Sequence, residues 1–252
     1  MAYLCFVERA KSHTAGTLLA AVNWAFVEVE GHLPEAGRAA VAFGRLRPGG
    51  EGGPMHRLAV GAMIARLWES GEQAAAEIVA VDFDCCLRGG EWQRIHPEDI
   101  DLAADGAVAI RLGILARGEQ TKTGPNQGVV VATEHVRALL RRRKAARPKG
   151  TALWPLKPQA FYSAWRAACE SLGLADTPPH SLRHGAAAEA IQRGGFTEGA
   201  VRATQLRGRW QSTKSLKRYA KPHLLVSALA ALPDATRALG ERFWASPDAW
   251  LD

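Results

Sequence analysis

Two short β-branched runs, residues 107–115 (AVAIRLGIL) and 128–132 (GVVVA), interrupt a chain whose apolar residues otherwise recur at helical spacing. The polar segment RGEQTKTGPNQ lies between them, so the pair reads as a β-hairpin with a long loop. Strands joined this way pair antiparallel. The chain is therefore expected to be α+β and mainly helical, with one small antiparallel sheet in its middle.

The flanking segments support this. Residues 14–28 carry Leu18, Leu19, Val22, Trp24 and Ala25 close to helical spacing. Residues 45–54 (RLRPGGEGGP) hold four glycines and two prolines, a loop and the expected domain boundary. No Gly-Lys-Ser/Thr follows that run, so it is not a phosphate-cradling loop. Leu58, Val60, Met63, Ile64 and Leu67 form a helical stripe that Ser70-Gly71 ends, and residues 74–83 resume it. Beyond Thr133, helices are expected over 133–147, 158–172, 181–193, 198–207 and 213–219. An apolar stretch, 224–232, ends at Pro233, and a final helix is expected over 235–244.

Apolar residues make up 47% of the 252, enough for a sizeable core without covalent staples. The four cysteines, Cys5, Cys85, Cys86 and Cys169, form no CxxC pair and read as free thiols of a reducing compartment. No apolar run is long enough for a membrane span, and no secretory signal pattern opens the chain. The net charge of +7 is unevenly placed: residues 133–150 hold seven Lys/Arg against one acid, and residues 180–223 nine against two. The rest of the chain is mildly acidic, so the two basic stretches point to a polyanion-binding face.

Within the second basic stretch, His180-Ser181-Leu182-Arg183-His184 follows Pro178-Pro179, a helix-start context. His180 and Arg183, three apart, share one side of that helix. Downstream come Trp210, in Gly208-Arg209-Trp210, and Tyr219, in Lys217-Arg218-Tyr219. Upstream, Arg88 and Glu91 form Arg-x-x-Glu, and Lys122 sits at the hairpin tip. Each has a plainer role open to it: His180 as a cap, Arg183 on the surface, Arg88 as a helix C-terminal cation paired with Glu91, Trp210 and Tyr219 as packing. His180 and His184 are spaced as in a helical zinc pair, but Ser181 stands where that motif has glutamate, and no third ligand is evident. No Gly-x-Ser-x-Gly nucleophile turn is present.

Taken in order, Arg88, Lys122, His180-x-x-Arg183, Trp210 and Tyr219 resemble the active-site signature of the tyrosine recombinase (phage integrase) family, over about residues 55–223. The resemblance implies an integrase-type catalytic domain over 55–232. A short or truncated helical segment and linker, 1–54, would stand where the family carries a DNA clamp, and 233–252 would form a C-terminal tail. The implied activity is site-specific cutting and rejoining of double-stranded DNA through a 3′-phosphotyrosyl intermediate. Tyr219 would be the nucleophile and His180 the proton acceptor. Arg88, Arg183 and Trp210 would bind the phosphate, and Lys122 would protonate the leaving 5′ oxygen. The family needs no cofactor and no metal. It works on DNA as a homo-oligomer, from dimer to tetramer, inside the cell and away from membranes. The family more often has histidine where Trp210 stands. Two other readings fit the same residues: a catalytically inactive DNA-binding remnant of a mobile element, and a DNA-relaxing enzyme of the topoisomerase IB kind. The apolar 224–232 segment would dock on a neighbouring protomer or complete its own core.

Overall fold

A computed structural model describes residues 14–46, 53–174 and 177–251. The chain divides into two units, Met1–Glu51 and Gly52–Asp252. The Gly-rich linker expected over 45–54 falls for the most part outside the described residues, as does Cys5. In the first unit, α1 (Thr14–Ala25) and α2 (Pro34–Leu46) are joined through a 3-10 turn, Val27–Val29. Leu18, Trp24, Phe26, Val27 and Val41 of this unit are exposed.

The second unit is built round α3 (Arg57–Glu69). His56 caps it, its Nδ1 accepting from the Leu58 N–H at 3.2 Å. Gly71, at φ 78°, turns the chain after it. Residues 59–65 and Leu67 are all buried, so α3 is enclosed on nearly every side. The helix α4 (Gln73–Asp84) lies beside it and is buried almost as fully.

Three strands, β1 (Ile100–Leu102), β2 (Val108–Leu112) and β3 (Gln127–Val130), form an antiparallel sheet in the order β1-β2-β3. Ile100 pairs with Ile110, and Ile110 with Val129, which puts these three buried side chains on the core face. The expected hairpin is β2–β3. No periodicity marks β1 in the sequence, because three residues with one inward side chain carry no alternation.

The remaining helices are α5 (Glu134–Ala146), α6 (Pro158–Ser171), α7 (Ser181–Arg193), α8 (Glu198–Arg207), α9 (Thr213–Lys217), α10 (Pro222–Ala230), α11 (Asp234–Ala245) and α12 (Asp248–Leu251). Residues 233–252, expected as a tail, instead supply Leu239, Phe243 and Leu251 to the main core. Gly240 meets the Leu58 backbone so closely that a Cβ would collide with it, and the Trp244 indole N–H donates to the Arg57 carbonyl at 2.7 Å. The preceding apolar stretch, 224–232, also packs inward: Leu225 and Leu232 are buried, while Val226 faces solvent.

The first basic stretch does not form a free cationic face. Arg137 donates to the Val131 and Ala132 carbonyls, each at 3.1 Å. Arg141 bonds Glu134 at 2.7 Å and the Gly106 carbonyl. Arg142 bonds the Leu251 carbonyl, and Arg143 bonds Glu77. Lys144 donates to the carbonyls of Pro97 and Ile100. Glu77, itself buried, also accepts the Trp154 indole N–H at 2.8 Å. These cations satisfy loop and helix-end carbonyls that the packing removes from water.

Candidate active site

A second, smaller core of Cys86, Ala186, Ala187, Ile191, Trp210 and Leu216 joins α4, α7, α8 and α9, and the candidate residues gather against it. Arg183, on the first turn of α7, is only 2% exposed. Its Nη1 donates to the Cys86 carbonyl and its Nη2 to the Gly208 carbonyl. Both acceptors lie at helix C-termini, where unpaired carbonyls concentrate negative potential, which is what makes burial of this guanidinium tolerable. Its face is stacked: the guanidinium carbon lies 4.1 Å from the Trp210 ring centroid and 5.5 Å from that of Tyr219.

Residues 208–210 close α8. Arg209 N–H bonds the Leu206 carbonyl and Trp210 N–H the Gln205 carbonyl, each at 3.0 Å, the paired bonds of a Schellman ending. Such an ending needs a left-handed residue, and Arg209 supplies it at φ 57°, at a cost of about 1–2 kcal/mol for an L-residue. Gly208 cannot carry a side chain, because a Cβ there would run into the Trp210 ring folded back over it.

Tyr219 follows α9, which Ser212 caps by accepting from the Ser215 N–H at 3.2 Å. Its N–H bonds the Leu216 carbonyl at 2.8 Å. The half-buried ring lies against three others, with centroid distances of 4.5 Å to His184, 5.1 Å to Trp210 and 5.4 Å to His180. His180 stands just before α7. Burial, then the charges of Arg183 and Lys122, lower its pKa below the usual histidine value, so it is neutral at pH 7. Burial, then His180 and Arg183, lower His184 to about 4, against an opposing hydrogen bond with the Tyr219 backbone.

Arg88 reaches the same place from the end of α4. Its N–H and Nη1 bond the two oxygens of Glu91 at 2.8 and 3.2 Å. Its Nη2 bonds Thr123 Oγ1 at 3.1 Å and the Arg209 carbonyl at 3.0 Å, tying the hairpin turn to the end of α8. Lys122 is exposed on that turn, which a Thr121 Oγ1 bond to the Gly124 carbonyl closes at 2.6 Å. With Arg88, Gly90, Glu91 and Arg94 it lines a cleft of about 400 Å³. Arg88 and Lys122 line this cleft, and the Arg88 bond to the Arg209 carbonyl and the Lys122 charge that acts on His180 join it to the cluster of His180, Arg183, Trp210 and Tyr219, though Arg88 and Tyr219 lie far apart in sequence. A larger cavity, about 460 Å³, lies elsewhere among Arg57, His135, Glu189, Arg193 and Arg207, and holds none of the six. Its arginines face Glu189 and Asp84.

The sequence reading passed over three contributors. Arg209, with its side chain 6% exposed, is a buried arginine at the floor of the site, paired with Glu91. Its sequence signal was a bulky residue between Gly208 and Trp210 at a helix end where glycine is usual. Asp82 lies buried beneath; burial, then Glu91, raises its pKa well above the carboxylate range, while Arg209 and Arg183 oppose the rise. His184 was noted only as a zinc candidate. Among the described residues no three His, Cys, Asp or Glu side chains are grouped to hold a metal ion, and no helix is long and apolar enough to cross a membrane.

No protein-family model matches the chain, and no curated protein matches it. Solved structures do. The XerH site-specific recombinase bound to its difH substrate, in a pre-cleavage complex, aligns over 70% of this chain with a TM-score of 0.50 and 13% identity. The chain spans about half of XerH, 52% of its length. The XerA recombinase aligns over 96% of this chain and 87% of its own, with a TM-score of 0.49 and 17% identity. The chain has the fold of a recombinase catalytic domain. At these identities the likeness is one of fold.

Proposed function

We propose that this chain breaks and rejoins double-stranded DNA as a site-specific tyrosine recombinase, with Tyr219 as nucleophile. The observation that carries the reading is the gathering of Arg88, Lys122, His180, Arg183, Trp210 and Tyr219 round one region, on a fold like that of a recombinase that has been seen with its DNA substrate.

The residues suit the chemistry. The Tyr219 hydroxyl attacks the phosphorus, and its proton passes to neutral His180. The bond from phosphorus to the 5′ oxygen breaks, and Lys122 protonates that oxygen as it leaves. Arg88, beside the cleft, meets the charge that develops on the phosphate. Arg183 acts from beneath the Tyr219 ring: it is almost wholly buried, so its part is to hold charge under the nucleophile and to order Trp210. The product is a 3′-phosphotyrosyl bond and a free 5′ hydroxyl. Attack by another 5′ hydroxyl reverses the step without an external energy source.

In this reading residues 1–54 belong to a DNA clamp, and the protein assembles on DNA as a dimer or tetramer inside the cell. The test is incubation of the whole chain with nicked suicide duplexes drawn from DNA flanking its gene. A covalent adduct that survives denaturation, and that Tyr219→Phe abolishes, supports the reading. DNA binding without any adduct supports the inactive remnant instead, and relaxation of supercoiled plasmid without strand exchange supports the topoisomerase-like alternative.

A further inference from the structure

We infer that Arg209 is a positioning residue that keeps Arg88 available to an oxyanion by sharing Glu91 with it. The Glu91 carboxylate receives the Arg88 N–H and Nη1 together with Arg209 Nη2. With Arg88 as its only guanidinium, that carboxylate would neutralise the cation that the cleft presents. Two guanidinium groups on one carboxylate leave a surplus positive charge at the cleft wall.

Arg209 also orients Arg88 directly, because its carbonyl accepts from Arg88 Nη2 at 3.0 Å. The same residue therefore sets both the direction of Arg88 and the charge of its partner. Helix closure alone does not account for an arginine here. A left-handed φ of 57° favours glycine, and the Nε and Nη1 of Arg209 are buried with no hydrogen-bond partner. Both features work against stability, and unsatisfied donors of this kind concentrate where a group serves something other than packing.

The inference rests on the strand-breaking reading only for the identity of the oxyanion, a DNA phosphate. The full chain is titrated with inorganic sulfate while the Arg88 guanidinium is followed by nitrogen-15 NMR. The same titration is run on Arg209→Gly, Arg209→Gln and Arg209→Lys. Glycine relaxes the left-handed residue, and glutamine preserves reach without charge, so that it decides the matter if the glycine variant does not fold. The sulfate midpoint at Arg88 is expected to rise about tenfold in Arg209→Gly and Arg209→Gln, and to return most of the way in Arg209→Lys. Added methylguanidinium is expected to restore part of the loss in Arg209→Gly, which a purely structural role would not allow. An unchanged midpoint in the uncharged variants overturns the inference, as does a wild type in which sulfate leaves Arg88 undisturbed. If the expected pattern appears but the wild type never forms a covalent DNA adduct, the recombinase reading fails and this inference stands.

Discussion

The Arg183 guanidinium lies over the Trp210 ring, its carbon 4.1 Å from the indole centroid, and both residues are buried. A desolvated contact of this type contributes about 2 kcal/mol. Trp210→Ala removes it together with the packing of a large ring, so a loss of about 3–5 kcal/mol is expected in chemical denaturation. Trp210→Phe keeps a ring under the guanidinium and is expected to lose about 1–2 kcal/mol. Equal losses in the two variants would show that the stacking contributes nothing.

The neutral state of His180 gives the proposed reaction a pH signature. Proton uptake from Tyr219 needs the unprotonated imidazole, and the lowered pKa puts the acid limb of adduct formation below pH 6.5. Lys122→Ala removes one of the charges that lower it, so the limb should move to higher pH while burial and Arg183 keep it below the free value. Single-turnover rates measured across pH decide this. A limb that stays in place would mean that Lys122 does not act on His180.

His184 links acidity to folding. Its folded-state pKa, about 4, lies below the 6.5 of the unfolded chain, so the unfolded state takes up protons first as pH falls. The stability tied to its neutral form is present above pH 6.5 and is lost between pH 6.5 and about 4. Asp82 and Glu189, raised by burial, act in the opposite sense. Urea midpoints of His184→Gln should therefore fall less steeply across this window than those of the wild type, and parallel curves would remove His184 from the account.

The buried carboxylate of Glu77 anchors α5 through Arg143 and holds the Trp154 indole, which lies beyond that helix. Glu77→Gln keeps the shape and removes the charge, and about 3 kcal/mol of stability should go with it. By the same argument, reversing Arg141, Arg142 and Arg143 to glutamate should unfold the domain rather than merely weaken DNA binding. Circular dichroism of that triple variant checks the claim: native helicity with reduced DNA affinity would restore the open cationic face expected from sequence.

The helical pattern and the hairpin were legible because each rests on local signals, apolar periodicity and β-branched runs, whereas the six candidate residues, spread from Arg88 to Tyr219, were picked out by their order and its resemblance to a family signature. The partners of the basic residues were not. A run such as RRRK has the same composition whether it faces water or caps the carbonyls of Gly106, Leu251 and Ile100, and only the packing decides. Arg209 was hidden for a related reason. Its function lies in Glu91, 118 positions away, and in a backbone angle that no residue type announces. The helix expected over 235–244 is present as α11; what its sequence did not announce is that its Leu239 and Phe243 join the main core.

The packing of α11 on α3 bears on how the protein is made. Trp244 and Arg57, joined by a hydrogen bond, are 187 positions apart. During synthesis α3 leaves the ribosome early, apolar on nearly every side, and must wait for almost all of the unit before its cover arrives. The α3–α4 layer beneath Arg88 and Arg183 is thus fixed late. A nascent chain that has already displayed Tyr219 still lacks the helix that steadies the floor below it, so the candidate site is complete only after Trp244 has been added.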